Sequence, residues 1–439
     1  MATLTDQRKT ESSWLTGWRE HIRITRAGVF GLLSLFLGAL LLLRVAPTYD
    51  PTLITTLTFE GQIPDLRFFA VGFMNAVGVI YVLGGLFALI PIEHRLLHSL
   101  KLIWLGINLA LFVPTVLVIT AIGTSTNMLE TLTSGFRLAT PIVIGALAGI
   151  WCERSGVVNI AIEGMMLTGA CLGFITVFLL APYLQSQQAQ FLGVLIATLM
   201  GGVMALLHAW LSITFRTDQI VSGTVINILA LGLTSFLRDE ILLAAPGGEG
   251  GVSTGTLPIL AIPILSDLPL IGPSLFTGQP IFLMMFVLVI GTHVILYYTR
   301  WGLRTRAVGE NPKAADTLGI NVIRNRYINV IIGGLLAGFA GAWFSLEATS
   351  SFDNGMTGGL GFIALAAMIF GKWTPLGATI GGLLFGFSQA FRTRFQILEV
   401  PIPEEFIQMI PYIVTMIVLA GLVGKATAPK ADGVPYKKE

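Results

Sequence analysis

The chain has 439 residues, of which 54% are hydrophobic and only 11% charged, with a formal net charge of +2. A soluble domain carries about 25% charged residues, so this composition and a mean hydropathy of +0.81 exclude a soluble protein and describe one that lives in a bilayer. The near-neutral balance gives no indication of a nucleic-acid partner. Residues 1–27 are polar and carry no small-residue cleavage pattern, so they read as a cytoplasmic arm rather than a signal peptide. In this arm Trp14, Leu15, Trp18 and Ile22 are interspersed with Arg19, Arg23 and Arg26, which suits an amphipathic helix lying on an anionic membrane surface. About twelve apolar segments follow, most of them near the ~20 residues that a helix needs to cross hydrocarbon. They lie near 28–46, 69–90, 102–122, 137–152, 157–182, 190–213, 219–240, 280–298, 328–346, 359–371, 375–391 and 405–423. The fourth and tenth are short, and one or both are expected to be re-entrant or broken.

The expected fold is therefore an all-α integral membrane protein, a polytopic helical bundle of about 10–12 transmembrane helices with broken or re-entrant segments. Placing the N-terminus inside and alternating puts 20 of the 26 Lys and Arg residues in the cytoplasm and 6 outside. Cytoplasmic loops carry the excess of Lys and Arg, so both termini are expected to be cytoplasmic. Residues 241–279 then lie outside, without Lys or Arg and rich in Gly and Pro, as an ordered cap or loop. The division expected is the arm at 1–27, a unit of three helices at 28–130, a core at 131–424 and a cytoplasmic tail at 425–439. The three-helix unit has ordinary Leu, Val and Phe texture. The core is dense in small residues, such as Gly334, Gly338 and Gly341, which let helix backbones approach closely.

A charge at mid-bilayer costs roughly 2.5–3.5 kcal/mol on insertion scales, so polar groups within spans need a partner or a cavity. Three stretches carry such groups. In "ERSGVVNIAIEG" (Glu153–Gly164), Glu153 and Arg154 read as an interfacial pair. Asn159 and Glu163 lie deeper and share a helical face; Gly156 and Gly164 bracket them and allow a break. Two readings stand side by side: they line a translocation path, or they make structural hydrogen bonds across helices. In "TDQIVSGTVIN" (Thr217–Asn227), Asp218 and Gln219 suit a helix cap, while Ser222 and Asn227 lie further along the span as path candidates. In "ATSSFDNGMTGGLGF" (Ala348–Phe362), Asp353, Asn354 and Thr357 sit in a Gly-rich segment flanked by Phe352 and Phe362. Aromatic faces beside amide and carboxylate groups suit a nucleobase or a sugar; an ordinary external turn explains the same residues.

The longest cytoplasmic insertion runs from Arg300 to Arg326. Asn311 as N-cap, Pro312 at the first helical position and Gly319 as terminator predict a short helix of about two turns. Such a helix exceeds what topology requires and reads as a docking element for a cytoplasmic partner. No Walker A pattern occurs: "GKWT" at Gly371–Thr374 has Trp where Ser or Thr is needed. The five histidines show no ligand spacing, so no metal site is expected. Cys152 and Cys171 read as small packing residues. The chain is not expected to be a catalyst by itself.

"TPIVIGALAGIWCERSGVVNIAIEGMMLTGA" (Thr140–Ala170) and "GLRTRAVGENPKAADTLGINVIRNRYINVIIGGLLAGFAGAWFSLE" (Gly302–Glu347) resemble the membrane permeases of ABC importers, in the branch of the ribose, galactose and branched-chain amino-acid permeases. "GFIALAAMIFGKWTPLGA" (Gly361–Ala378) and "GVPYKKE" (Gly433–Glu439) resemble its nucleoside-uptake sub-branch. The similarity covers about 137–439 and leaves the first three spans outside it. The resemblance implies a permease subunit in the bacterial cytoplasmic membrane that moves nucleosides, purine nucleosides foremost, by ATP-driven alternating access. It implies three partners: a second, related permease subunit, a cytoplasmic ABC ATPase that binds the ATP and Mg, and an extracytoplasmic substrate-binding lipoprotein. No cofactor is then bound by this chain. Glu310, Asn311, Pro312, Lys313, Ala314, Ala315, Asp316, Leu318 and Gly319 are similar to the family's coupling helix, which seats in the ATPase. It also implies that Asn159, Glu163 and Asn227 line the path. The alternatives are a simple-sugar permease of the same architecture, a proton-coupled secondary transporter using Glu163, and a scaffold subunit with no passage of its own.

Overall fold

The computed structural model describes residues 26–59, 63–90, 95–244, 255–397, 409 and 426–438. The amphipathic arm before Arg26 and the twelfth apolar segment lie outside these residues. The described chain divides into two compact units at Met128–Leu129.

The first unit opens with α1 (Arg26–Leu40), which continues through a π turn at Leu41–Val45 and a 3-10 turn at Ala46–Thr48. Then come β1 (Ile54–Thr58), β2 (Leu66–Phe69), α2 (Ala70–Leu89), α3 (Arg95–Thr120) and β3 (Ser125–Asn127). The strands form one small sheet in the order β2-β1-β3, antiparallel between β1 and β2 and parallel between β1 and β3. The β-branched run "ITTLT" pairs its backbone on both sides, since a strand satisfies its polar groups only through neighbours. The packing of α1 on α2 departs from ordinary texture. A Cβ added at Gly85 would lie 2.6 Å from the Gly31 carbonyl, and one at Gly38 would lie 2.8 Å from that of Gly78. Close backbone approach through small residues is thus used in this unit as well.

The second unit begins with α4 (Met128–Glu153), α5 (Ile162–Leu180), α6 (Ser186–Ala209) and α7 (Gln219–Leu237). A cap follows, clipped by the two-residue strands β4 (Leu260–Ala261) and β5 (Thr277–Gly278). Gln190 donates to the carbonyls of Gly255 and Thr256, and the Leu257 N–H donates to the Leu346 carbonyl. Residues 255–279 are thereby ordered, as expected of the described part of this stretch. The remaining elements are α8 (Pro280–Tyr298), α9 (Arg300–Glu310), α10 (Pro312–Thr317), α11 (Val322–Ala342), α12 (Leu360–Phe370) and α13 (Pro375–Ile397). π turns extend α6, α7 and α11 at Trp210–Thr214, Arg238–Leu243 and Trp343–Ala348.

Eight helices among the described residues are long and apolar enough to cross a membrane. The protein is a multi-pass, helical membrane protein. The fourth apolar segment is not short: α4 has 26 residues, because the polar run from Met128 to Arg137 continues the same helix. Every residue of α4 from Ala139 to Glu153 is buried, which makes it the central helix of the unit. A helix that is apolar all round belongs in such a place. The tenth segment is short: α12 has 11 residues, about 16 Å at the helical rise, roughly half of the ~30 Å hydrocarbon core. The fifth segment starts late, because the chain is unwound between Glu153 and Ile162.

Candidate functional site

The unwound linker 154–161 joins the ends of α4 and α5. Gly156 turns it with φ +85°, a conformation that costs glycine nothing and other residues about 1–2 kcal/mol. An unwound segment inside a bundle must find partners for its backbone groups. They come from side chains far along the sequence. The Val158 N–H donates to Gln219 Oε1 at 2.7 Å. His208 Nε2 lies 3.0 Å from the Val158 carbonyl, and its Nδ1 lies 3.1 Å from Ser222 Oγ. A carbonyl only accepts, so Nε2 carries the proton. Asn227 Nδ2 donates to the Ile160 carbonyl at 3.0 Å, while its Oδ1 accepts from the Gly164 N–H at 2.8 Å. Asn159, fully buried, accepts from the Ala161 N–H and donates to Cys152 Sγ.

Glu163 stands in the first turn of α5 and reaches the start of α12. Its carboxylate accepts from Thr357 Oγ1 at 2.6 Å, the Gly359 N–H at 2.8 Å and the Gly361 N–H at 2.6 Å. It therefore sits at the positive ends of two helices at once. Backbone N–H groups can only donate, so both carboxylate oxygens act as acceptors and tie the start of α5 to the start of α12. Gly359 takes φ +81° to bring its N–H to Glu163. Glu347, which the sequence reading passed over, does the same for α8, accepting from the N–H groups of Ile281 and Phe282.

The structure thus brings Asn159, Glu163, Ser222, Asn227 and Thr357 into one network around the linker. Asp353, Asn354 and Phe362 do not join it. Asp353 pairs with Arg238 at 3.0 Å, and Asn354 and Phe362 are exposed. Gln219 and His208 were missed as members. Gln219 was read as part of a cap; the cap is Asp218, which accepts from the Ile220 and Val221 N–H groups. Nothing local marks His208, since its partners lie 14 and 50 residues away. Replacing Asn227 by alanine orphans a donor and an acceptor, a loss of about 1–3 kcal/mol for each. Solubilised N227A should unfold at lower temperature than wild type, while Asn354→Ala should not.

Toward the end of α4 that carries Glu130, a cavity of about 300 Å³ is lined by Ser134, Arg137, Trp343, Thr393 and Arg394, among others. Arg394 lies 3.4 Å from Glu130, and the buried Nε of Arg137 has no hydrogen-bond partner among the described residues. At the other end of α4, Trp373 Nε1 donates to Glu153, and Arg154 donates to the carbonyls of Lys372 and Trp373. The α9–α10 hairpin is built beside this end, where Gly309 lies so close that a Cβ would be 2.3 Å from the Arg154 carbonyl.

In the hairpin, Asn311 accepts from the Ala314 N–H as N-cap, Pro312 opens α10 and Gly319 turns with φ +80°. The short helix has six residues, and α9 before it is helical too. Ala315 is not on the outer face. It is buried with Val308, Val322 and Tyr436 because the hairpin must cover its own small core. Lys313, Ala314 and Leu318 face outward, and Leu318 is 82% exposed.

The family described as the permease component of branched-chain amino acid transport systems matches residues 131–419. The guanosine ABC transporter permease protein NupQ of Bacillus subtilis is 41% identical over 68% of this chain and 94% of its own length. The nucleoside ABC transporter permease protein NupC of Lactococcus lactis is likewise 41% identical, over 68% of this chain and 94% of its own. A putative glucose ABC transporter permease protein, TsgC13 of Haloferax volcanii, is 35% identical over 60% of this chain and 77% of its own. No solved structure matches. The chain belongs to this permease family.

Proposed function

We propose, on the premise of that membership, that this chain is the permease subunit of an ATP-driven nucleoside importer. The observation that carries the reading is the 41% identity to guanosine and nucleoside permeases across 94% of their lengths. The 35% identity to a putative glucose permease favours a simple sugar as the second reading.

A cytoplasmic ABC ATPase, which holds the ATP and Mg, drives the subunit, and an extracytoplasmic lipoprotein delivers the solute. A second, related permease completes the passage. The excess of Lys and Arg puts both termini and the α9–α10 hairpin in the cytoplasm. Glu310, Asn311, Lys313, Ala314 and Leu318 meet the ATPase, while Ala315 packs the hairpin from beneath. Closure of the ATPase displaces the hairpin. The linker and the clamped starts of α5 and α12 then move as one body and change which side the passage faces. Asp353, Asn354 and Phe362 meet the solute. Asn159, Glu163, Ser222, Asn227 and Thr357 hold the shape of the wall.

The test is reconstitution of the permease pair with its ATPase and binding lipoprotein in proteoliposomes. Guanosine uptake should require ATP and resist excess glucose. Uptake driven by a proton gradient without ATP would remove the reading, and glucose uptake in place of guanosine would select the sugar. Leu318→Asp should abolish stimulated ATP hydrolysis and uptake while leaving the subunit folded, because a charge replaces the most exposed apolar contact of the hairpin. Normal uptake by L318D would place the ATPase elsewhere.

A further inference from the structure

We infer that the C-terminal segment 429–436 is a strut that carries displacement of the α9–α10 hairpin into the unwound α4–α5 linker. The inference rests on the ATP-driven reading, and it concerns a segment with no role in that account. The tail returns to the bundle and is fastened at both ends of the connection. On the hairpin side, the Ala431 N–H donates to the Gly309 carbonyl at 2.9 Å, and Tyr436 is buried with Val308 of α9 and Ala315 of α10. On the linker side the fastening runs through Arg326, 1% exposed on α11. It donates from Nε to the Ser155 carbonyl at 3.2 Å and from NH1 to the Val434 carbonyl at 2.9 Å. One guanidinium thereby bonds the linker and the tail together.

The fit is close at Gly156, where a Cβ would lie 2.8 Å from Arg326 NH2 and 3.0 Å from the Ala431 carbonyl oxygen. Asp432 lies in the electrostatic neighbourhood of Glu153, the last residue of α4, and of Arg326. Burial pushes the Asp432 carboxyl up to about 7.

The mechanics follow from what each piece can transmit. From Val158 to Ile160 the linker is held by side chains rather than by helical hydrogen bonds, so it is the compliant part of the α4–α5 run. A hairpin touching a compliant linker at one glycine would move past it. A tail bonded to the hairpin, and through a buried arginine to the linker, makes the two move together. An exposed tail would leave a docking event at Leu318 without a firm path to Asn159 and Glu163.

The experiment uses the full reconstituted transporter with two altered chains, one ending at Lys430 and one carrying Ala431→Pro, which removes the donor to Gly309. Both should assemble with the ATPase and hydrolyse ATP, while guanosine moved per ATP falls about tenfold or more, as loss of a coupling free energy requires. Val434→Ala keeps the carbonyl that Arg326 uses and should transport as wild type does. Wild-type transport per ATP by the shortened chain would overturn the inference. So would a shortened chain that no longer assembles with the ATPase and melts at a lower temperature, since the tail would then be a stabilising plug. ATP-independent uptake by the wild-type complex would instead overturn the functional reading beneath it.

Discussion

Glu163→Ala should all but abolish transport and loosen the bundle. The substitution leaves Thr357 Oγ1 and the N–H groups of Gly359 and Gly361 without their shared acceptor. Each orphaned donor costs about 1–3 kcal/mol, and bonds to a charged group stand at the upper end. A loss of roughly 3 kcal/mol or more is a large fraction of the 5–15 kcal/mol by which proteins are stable. The start of α12 would no longer be held to α5. Glu163→Gln offers one acceptor oxygen where the carboxylate offers two, and should fall between alanine and wild type. Uptake by proteoliposomes and the melting temperature in detergent check both. Wild-type flux in E163A would refute the anchoring role. Abolished flux in E163Q with a shifted pH optimum and unchanged melting would restore proton coupling.

Gly338→Leu should prevent the core from assembling. An added Cβ at Gly338 would lie 2.3 Å from the Ala197 carbonyl oxygen, and one at Gly201 would lie 2.3 Å from that of Gly334. These neighbours are backbone and cannot swing aside. α6 and α11 would have to separate along their contact, which also forfeits the dispersion contacts of the flanking side chains. Inserting groups into a packed core typically costs about 1–3 kcal/mol, occasionally more, and four side-chain carbons against backbone belong at the high end. Even Gly338→Ala should lower the melting temperature. Gly232 and Gly291 provide the control, because a Cβ there meets nothing within 4 Å. G232A should accumulate in membranes as wild type does. Equal accumulation and melting of G338L and G232A would show that the close approach of these helices is unimportant.

Much of the architecture could be read from particular residues before any contact was known. The long runs that became α2, α6, α8 and α11 announced themselves by hydropathy. The Asn311-Pro312 pair and Gly319 located α10, because capping is a matter of four or five consecutive residues. Asp218 was legible as a cap for the same reason. The errors fell where the deciding partner is remote. Met128–Arg137 looked too polar for a span, yet it continues α4. Ala315 looked like part of a docking face and is instead the floor of the hairpin. His208 carried no signal at all. Asn159, Glu163 and Asn227 were legible as polar groups in need of partners, with lining and anchoring both open.

The sequence by itself determined that this chain enters a membrane, where most of its apolar helices lie, and which loop bears a capped helix. Each of these is a sum over neighbouring residues: apolar length against bilayer thickness, or one cap against one helix end. The tertiary structure alone decided what the polar residues do. Glu163 finds Thr357 across 194 positions and Arg326 finds Ser155 across 171. A buried polar group is satisfied only by the partner that packing delivers, and that partner is a property of the folded bundle rather than of any stretch of the chain.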